Sequence, residues 1–177
     1  MRLFAAVVPT DEVVRELTGA VRGPAALPGA DGLRWNAAVD WHVTVAFYGE
    51  VPDDGLPALR AGLVRAAAGT RPFTLGLTGT GTFGDRVLWA GVGGDVPALT
   101  RLAGTVPPGA SGHDGYRPHL TLARAPRGGA GLAPWTAALA GLRTSPWEVT
   151  RLALMGSETG HPYSTEATWP LGVPLVP

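Results

Sequence analysis

One five-residue pattern, His-apolar-Thr-apolar-Ala, is written twice in this chain. It runs from His42 to Ala46 within "DWHVTVAFYGE" and from His119 to Ala123 within "GYRPHLTLARA". Alternating apolar residues mark a half-buried β-strand, in which neighbouring side chains point to opposite faces. His42, Thr44 and Ala46 therefore share one face, opposed by Val43, Val45 and Phe47. In the second copy His119, Thr121 and Ala123 are opposed by Leu120 and Leu122. Within each strand the His and Thr Cα atoms lie ~6.6 Å apart. The apolar face belongs in a core, so each strand offers an imidazole, a hydroxyl and a small residue to a common surface. A single such histidine is most simply a core-edge residue satisfied by a neighbour. Two of the chain's four histidines in the same pattern call for another explanation.

The rest of the chain supplies material for two such units. "RLFAAVVP" (Arg2–Pro9) reads as a buried strand, and "TDEVVRELTGAVRG" as a helix with Thr10 as cap and Gly23 as stop. "LRWNA" is a short strand, and "WHVTVAFYG" a strand followed by a helix opening at Asp53 or Asp54. "FTLGLTGTGTF" and "RVLWAGV" form two strands around a turn at Gly84-Asp85. A helix with Pro97 in its first turn and a long polar loop lead to the second histidine strand. One more helix comes next, and "WEVTRLALMGS" and "YSTEATWPL" are the last strands. Strand, helix, strands, helix thus occurs twice, a weak internal repeat. The expected fold is α+β, a single bilobal domain over residues 1–177. Each lobe is an antiparallel sheet with helices outside, and the sheets face a central cleft.

Composition removes several classes of chemistry. With 177 residues the chain can bury a core without disulfides or metals. There is no cysteine, hence no thiol nucleophile and no thiolate zinc site. All 14 basic residues are arginine, which excludes lysine nucleophiles and the P-loop motif. Net charge is zero, so a broad electrostatic grip on nucleic acid is not expected. No apolar run approaches the roughly 18 residues of a membrane span, and no cleavage pattern comes after the short apolar start. The expected location is cytoplasmic, with no membrane partner.

Two histidines and two hydroxyls suit a phosphodiester held between two strands. Histidine titrates near neutrality, so one ring can take a proton while the other gives one. Threonine hydroxyls can donate to non-bridging oxygens as charge develops. The scheme calls for no metal and no cofactor.

"HVTVAFYGE" and "RPHLTLARA" resemble the paired H-x-T-x motifs of the 2H phosphoesterase superfamily. In order and context they are most similar to its RNA 2′,3′-cyclic phosphodiesterase branch, also described as bacterial 2′-5′ RNA ligase-like. "RLFAAVVP", "RVLWAGV" and "GSETGHPYSTEATWPL" extend the resemblance over essentially all 177 residues. The resemblance implies two catalytic pairs, His42 with Thr44 and His119 with Thr121. It makes His119 the base that activates water and His42 the acid for the departing 3′ oxygen, leaving a 2′-phosphate. It also implies a phosphate contact for Arg124. Strand parity puts Arg124 opposite His119, so either a bulge redirects it or it is a surface arginine. The first motif of this branch often reads H-L-T-L-R-F-L-G. Here Ala46 and Tyr48 replace the arginine and the last leucine, so a weaker grip on long RNA is expected.

The implied partners are RNA ends or small cyclic nucleotides, and a monomer is expected. Trp35 beside Arg34 is a candidate rim contact, and Tyr163 could stack on a base or sit at the core edge. Trp89 and Trp147 read as core. His113 in "SGHDGY" could join a metal with His42 and His119, but no metalloprotease-type spacing is present, and a loop histidine is the simpler reading. His161 reads as a turn residue. The alternatives to RNA-end hydrolysis are action on a smaller cyclic phosphate, such as that of ADP-ribose, and a non-catalytic RNA-end-binding module. Intact His and Thr in both copies favour an enzyme, because binding alone requires only donors.

Overall fold

The structure is a computed structural model that describes residues 1–110, 112 and 115–173. Its strands are β1 (Arg2–Val7), β2 (Arg34–Trp35), β3 (Val43–Glu50), β4 (Phe73–Phe83), β5 (Val87–Gly94), β6 (His119–Arg124), β7 (Trp147–Val149), β8 (Arg151–Ser157) and β9 (Ser164–Pro170). Its helices are α1 (Asp11–Arg22), α2 (Leu56–Ala68), α3 (Val96–Thr105) and α4 (Ala133–Leu139). The fold is α+β with a curled antiparallel sheet. Strand order is β7-β4-β5-β6-β3-β1-β8-β9, and β2 pairs with β6 beside that path.

Two four-stranded lobes, β7-β4-β5-β6 and β3-β1-β8-β9, meet where β3 pairs with β6. The junction is short. Its one registered pair is Val43↔Leu120, the residue after each motif histidine. The two motif strands are therefore neighbours at the centre of the sheet, related antiparallel.

Side-chain parity separates the two faces. On β1, Leu3, Ala5 and Val7 join the main core with Val13 and Leu17 of α1, Leu63 of α2 and Leu152 and Leu154 of β8. The alternate residues Phe4 and Ala6 face the other way, in a small cluster with Ala153, Met155 and Tyr163. Val43, Val45, Leu120 and Leu122 are buried in the main core, as their parity requires. α1 is also pinned at a distance: the Glu16 carboxylate accepts the Ser145 N–H at 2.7 Å and its hydroxyl at 2.6 Å.

Three local expectations differ from the structure. α2 opens at Leu56 after Gly55, with Pro57 in its first turn, because neither Asp53 nor Asp54 lies at its cap. "WEVTRLALMGS" is two strands, β7 on the edge of β4 and β8 between β1 and β9. The break falls at Thr150-Arg151, both exposed, where alternation fails and the chain passes from one lobe to the other. Phe47, expected in the core with Val43 and Val45, is instead 46% exposed. The register of β3 against β1 slips twice, leaving Val45 and Tyr48 as extra residues. Each bulge turns the strand and re-aims the side chains near it.

Candidate active site

His42 immediately precedes β3, after a single 3-10 turn at Ala38–Asp40. That turn places the Asp40 carbonyl 2.7 Å from His42 Nδ1. His119 opens β6, and its Nδ1 lies 2.7 Å from the carbonyl of Arg117. In both half-sites the ring bonds the carbonyl two residues upstream. A carbonyl only accepts, so Nδ1 carries the proton in each ring, and Nε2 is the nitrogen left to exchange protons. His42 Nε2 lies 3.1 Å from Thr44 Oγ1.

Each ring is walled by aromatics. His42 packs against Phe4 at 4.7 Å and edge-on to Tyr163 at 5.3 Å. His119 packs edge-on to Phe83 at 4.7 Å and tilted to Trp89 at 6.4 Å. A Cβ at Gly81 would overlap the Trp89 ring, so glycine in "GTGTFG" makes room for this wall. Burial lowers the proton affinity of both histidines below the usual imidazole range. For His42 the Asp40 carbonyl and the Asp40 charge oppose burial, while His119 and Arg124 reinforce it. For His119 the Arg117 carbonyl opposes burial, and Arg124 reinforces it. His42 thus has an acidic neighbour favouring its protonated form, and among the described residues His119 has none.

Arg124 joins the site through a bulge. β6 pairs with β5 in one register from His119 to Thr121 and in another from Ala123 to Arg124, leaving Leu122 extra. That slip reverses parity and brings Arg124 into the cleft with His119 and Thr121. Of the two readings for Arg124, the bulge is the one the structure adopts. Arg34 of β2 is its direct cross-strand neighbour. Two like charges side by side disfavour a sheet unless an anion lies between them. Among the described residues neither has an ion-pair partner, and Arg2 lines the same cleft.

Tyr116 and Asn36, which gave no signal in the sequence, tie the two half-sites together. The Tyr116 hydroxyl donates to the Thr44 carbonyl at 2.8 Å, so the segment before His119 holds the strand after His42. The Asn36 side-chain amide donates to the Thr121 carbonyl at 3.3 Å, and its backbone N–H donates to the Leu122 carbonyl at 2.8 Å. The Tyr163 N–H donates to Asp40 Oδ1 at 2.9 Å, which holds Tyr163 beside His42.

His42, Thr44, His119, Thr121, Arg124, Trp35 and Tyr163 all line one cleft, with a volume of about 740 Å³. Trp35 is partly buried, and its indole N–H donates to the Ala30 carbonyl at 3.0 Å. Tyr163 faces Phe4 as well as His42. Trp147 is core at 4% exposure, whereas Trp89 belongs to the His119 wall. His161 lines the cleft rim, and His113 lies outside the described residues. Among the described residues no group of three or more His, Asp or Glu side chains could hold a metal, and no helix is long and apolar enough to cross a membrane. A larger groove of about 820 Å³ lies between Tyr48, α2 and the end of α3, and among its described lining residues Arg65 is the charged one and none is a histidine.

A family model described as the 2′-5′ RNA ligase superfamily matches residues 9–161. The chain is 31% identical over 149 residues to an RNA 2′,3′-cyclic phosphodiesterase of Geobacillus stearothermophilus. That match covers 77% of this chain and 47% of the relative, so the chain spans about half the relative's length. Among solved structures it is similar to TT0787 of Thermus thermophilus, with a TM-score of 0.71 at 27% identity, over 98% of this chain and 99% of that one. It is also similar to E. coli LigT complexed with 3′-AMP, with a TM-score of 0.72 at 25% identity, over 96% and 97% of the two chains.

Proposed function

This chain belongs to the 2′-5′ RNA ligase superfamily, and from that premise we propose that it hydrolyses RNA 2′,3′-cyclic phosphate ends to 2′-phosphates by metal-independent two-histidine acid–base catalysis. The observation that carries this reading is the matched pair of imidazoles. Both are fixed through Nδ1 to a carbonyl, and both line one cleft with threonines and an arginine.

In this mechanism the cyclic phosphate lies between the two rings, with its non-bridging oxygens toward Thr44, Thr121 and Arg124. His119 Nε2 removes a proton from water, whose oxygen attacks phosphorus. The P–O3′ bond breaks, and the 3′ oxygen takes the proton from His42 Nε2. The product carries a 2′-phosphate, a free 3′ hydroxyl, a neutral His42 and a protonated His119, and solvent resets both rings. Burial lowers the proton affinity of both rings, and Arg124 adds to this at each; at His42 the Asp40 carbonyl and charge oppose it, which favours His42 as the acid and His119 as the base, and the anionic phosphate adds to that on binding. The name of the Geobacillus relative matches this substrate, and LigT, of similar fold, is complexed with the nucleotide 3′-AMP. The protein works as one bilobal domain, because the site draws on both motif strands.

The test is the purified protein in EDTA with a short RNA ending in 2′,3′-cyclic phosphate. A 2′-phosphate end is the expected product. No product, or a 3′-phosphate, refutes the reading.

A further inference from the structure

The cleft carries more positive charge than the two-histidine step uses. Arg34 and Arg124 stand directly opposite each other on β2 and β6, and both line the cleft. A cyclic phosphate diester bears one negative charge, which Arg124 beside Thr121 matches. Arg34 is left over. A second guanidinium straight across from the first destabilises the strand pair unless an anion relieves it. The cleft has acids that could have done so, Asp40 and Glu158. The Asp40 carboxylate is bonded to the Tyr163 N–H instead. Among the described residues neither arginine has an ion-pair or hydrogen-bond partner for its guanidinium.

The sheet fixes where that spare charge sits. Val43 of β3 pairs with Leu120 of β6, and further along the same edge of β6 Trp35 and Arg34 pair with Ala123 and Arg124. β2 thus continues the edge that β3 leaves. From Leu120 to Arg124 is ~13 Å of strand, less what the bulge at Leu122 takes up, and an arginine side chain covers part of that. Arg34 is set off along the edge from the histidine pair, which suits a second phosphate on the same ribose, across the sugar ring from the first. Arg2 lies at the opposite end of the cleft, where β1 pairs with Glu50 of β3 and Ser157 of β8.

We propose that Arg34 is a specificity residue that binds a phosphate on the 5′ oxygen of the ribose carrying the cyclic phosphate. The proposal rests on the phosphodiesterase reading and narrows its substrate class. A cyclic phosphate whose ribose has a free 5′ hydroxyl leaves Arg34 unmatched and is a poor substrate. The required phosphate occurs as a diester at the end of an RNA chain and as a pyrophosphate on the distal ribose of ADP-ribose.

The experiment measures kcat/KM on adenosine 2′,3′-cyclic phosphate with and without a 5′ phosphate, in the wild type, Arg34→Gln, Arg34→Lys and Arg2→Gln. Arg34 is exposed, and glutamine removes its charge while keeping a polar side chain. The wild type is expected to favour the 5′-phosphorylated probe by at least about ten-fold, the scale of one hydrogen bond to a charged group. Arg34→Gln is expected to reduce that ratio several-fold, mainly through KM, and Arg34→Lys to keep part of it. A wild-type ratio near one overturns the proposal, as does a ratio unchanged in Arg34→Gln, even if both rates fall together. A ratio lost in Arg2→Gln but not in Arg34→Gln overturns it as well. If Arg34→Gln does not fold, the wild-type ratio still decides. A diadenylate 2′,3′-cyclic phosphate and the cyclic phosphate of ADP-ribose, run alongside, tell the two sources apart. The source is the one that shares the advantage and loses it in Arg34→Gln, and an advantage in neither overturns the proposal. If no probe is hydrolysed, the phosphodiesterase reading fails separately. Calorimetric binding of adenosine 2′,5′-bisphosphate against adenosine 2′-phosphate then decides the phosphate seat, with equal affinities as the refuting result.

Discussion

Removing one oxygen atom, in Tyr116→Phe, should weaken both the fold and the site. The Tyr116 hydroxyl is the side-chain donor that links the segment before His119 to the strand carrying Thr44. Burial pushes the phenol far above its ordinary range, so it stays protonated, and a donor, at any working pH. Losing a neutral hydrogen bond of this kind costs about 0.5–1.5 kcal/mol net, and up to about 3 kcal/mol if the carbonyl left behind stays dry. Thr44 borders an open cleft, so water can reach the vacated side, and a loss of about 1–1.5 kcal/mol is expected. For a chain of this length that is a fall of about 2–6 °C in Tm. The same bond fixes the carbonyl of the residue whose hydroxyl lies against His42 Nε2. kcat on a cyclic phosphate should therefore drop several-fold with little change in KM. Differential scanning calorimetry and steady-state kinetics on one preparation give both numbers. An unchanged Tm would show that the bond does not hold the lobes. A lowered Tm with unchanged kcat would show that the tie is structural alone.

Asp40→Asn keeps the backbone carbonyl that holds His42 and an amide oxygen for the Tyr163 N–H, and removes only the charge. The proton affinity of His42 then falls, so the pH profile of kcat/KM should shift to lower pH on the limb where the acid loses its proton. A profile that does not move would show that Asp40 and His42 are uncoupled. Thr44→Val and Thr121→Val each remove one donor to the phosphate and leave both imidazoles in place, although Thr44→Val also removes the hydroxyl against His42 Nε2. Each should lower kcat by less than either histidine-to-alanine change does, measured in parallel, and an equal or larger loss would place the threonines in the proton path. Three arginines line the cleft, so for a short RNA log Kd should rise with log salt by no more than about 2, at roughly 0.7 per neutralised phosphate. A steeper slope in a filter-binding titration would require a wider basic surface.

The two histidine strands were legible because a period of two is enforced by the backbone itself. The same rule failed wherever a bulge added a residue. It mistook Phe47 for core, and left Arg124 undecided, since a register slip at Leu122 depends on how β5 and β6 pair and not on β6 alone. The turn onto β8 was visible in principle, as Thr150 and Arg151 are two polar residues in succession within an otherwise alternating run. Phe4 and Phe83 sit in apolar strands, and nothing local tells a core phenylalanine from one that walls an imidazole. Tyr116, Asn36 and Asp40 act through hydrogen bonds to distant backbone or to the final loop. Those partners exist only after the strands and lobes have come together.

The central claim, that His42 gives a proton while His119 takes one, is tested most directly by changing the leaving group. Each histidine is replaced by alanine, and kcat is measured in EDTA on an RNA 2′,3′-cyclic phosphate and on a nitrophenyl phosphodiester, whose leaving oxygen departs without a proton. Both variants should lose at least about 10²-fold on the cyclic phosphate, the low end of a general acid or base contribution. On the nitrophenyl diester His42→Ala should recover most of the wild-type rate, and His119→Ala should stay impaired. Recovery by His119→Ala alone would reverse the two roles. Full activity of either variant on the cyclic phosphate would contradict the two-histidine mechanism.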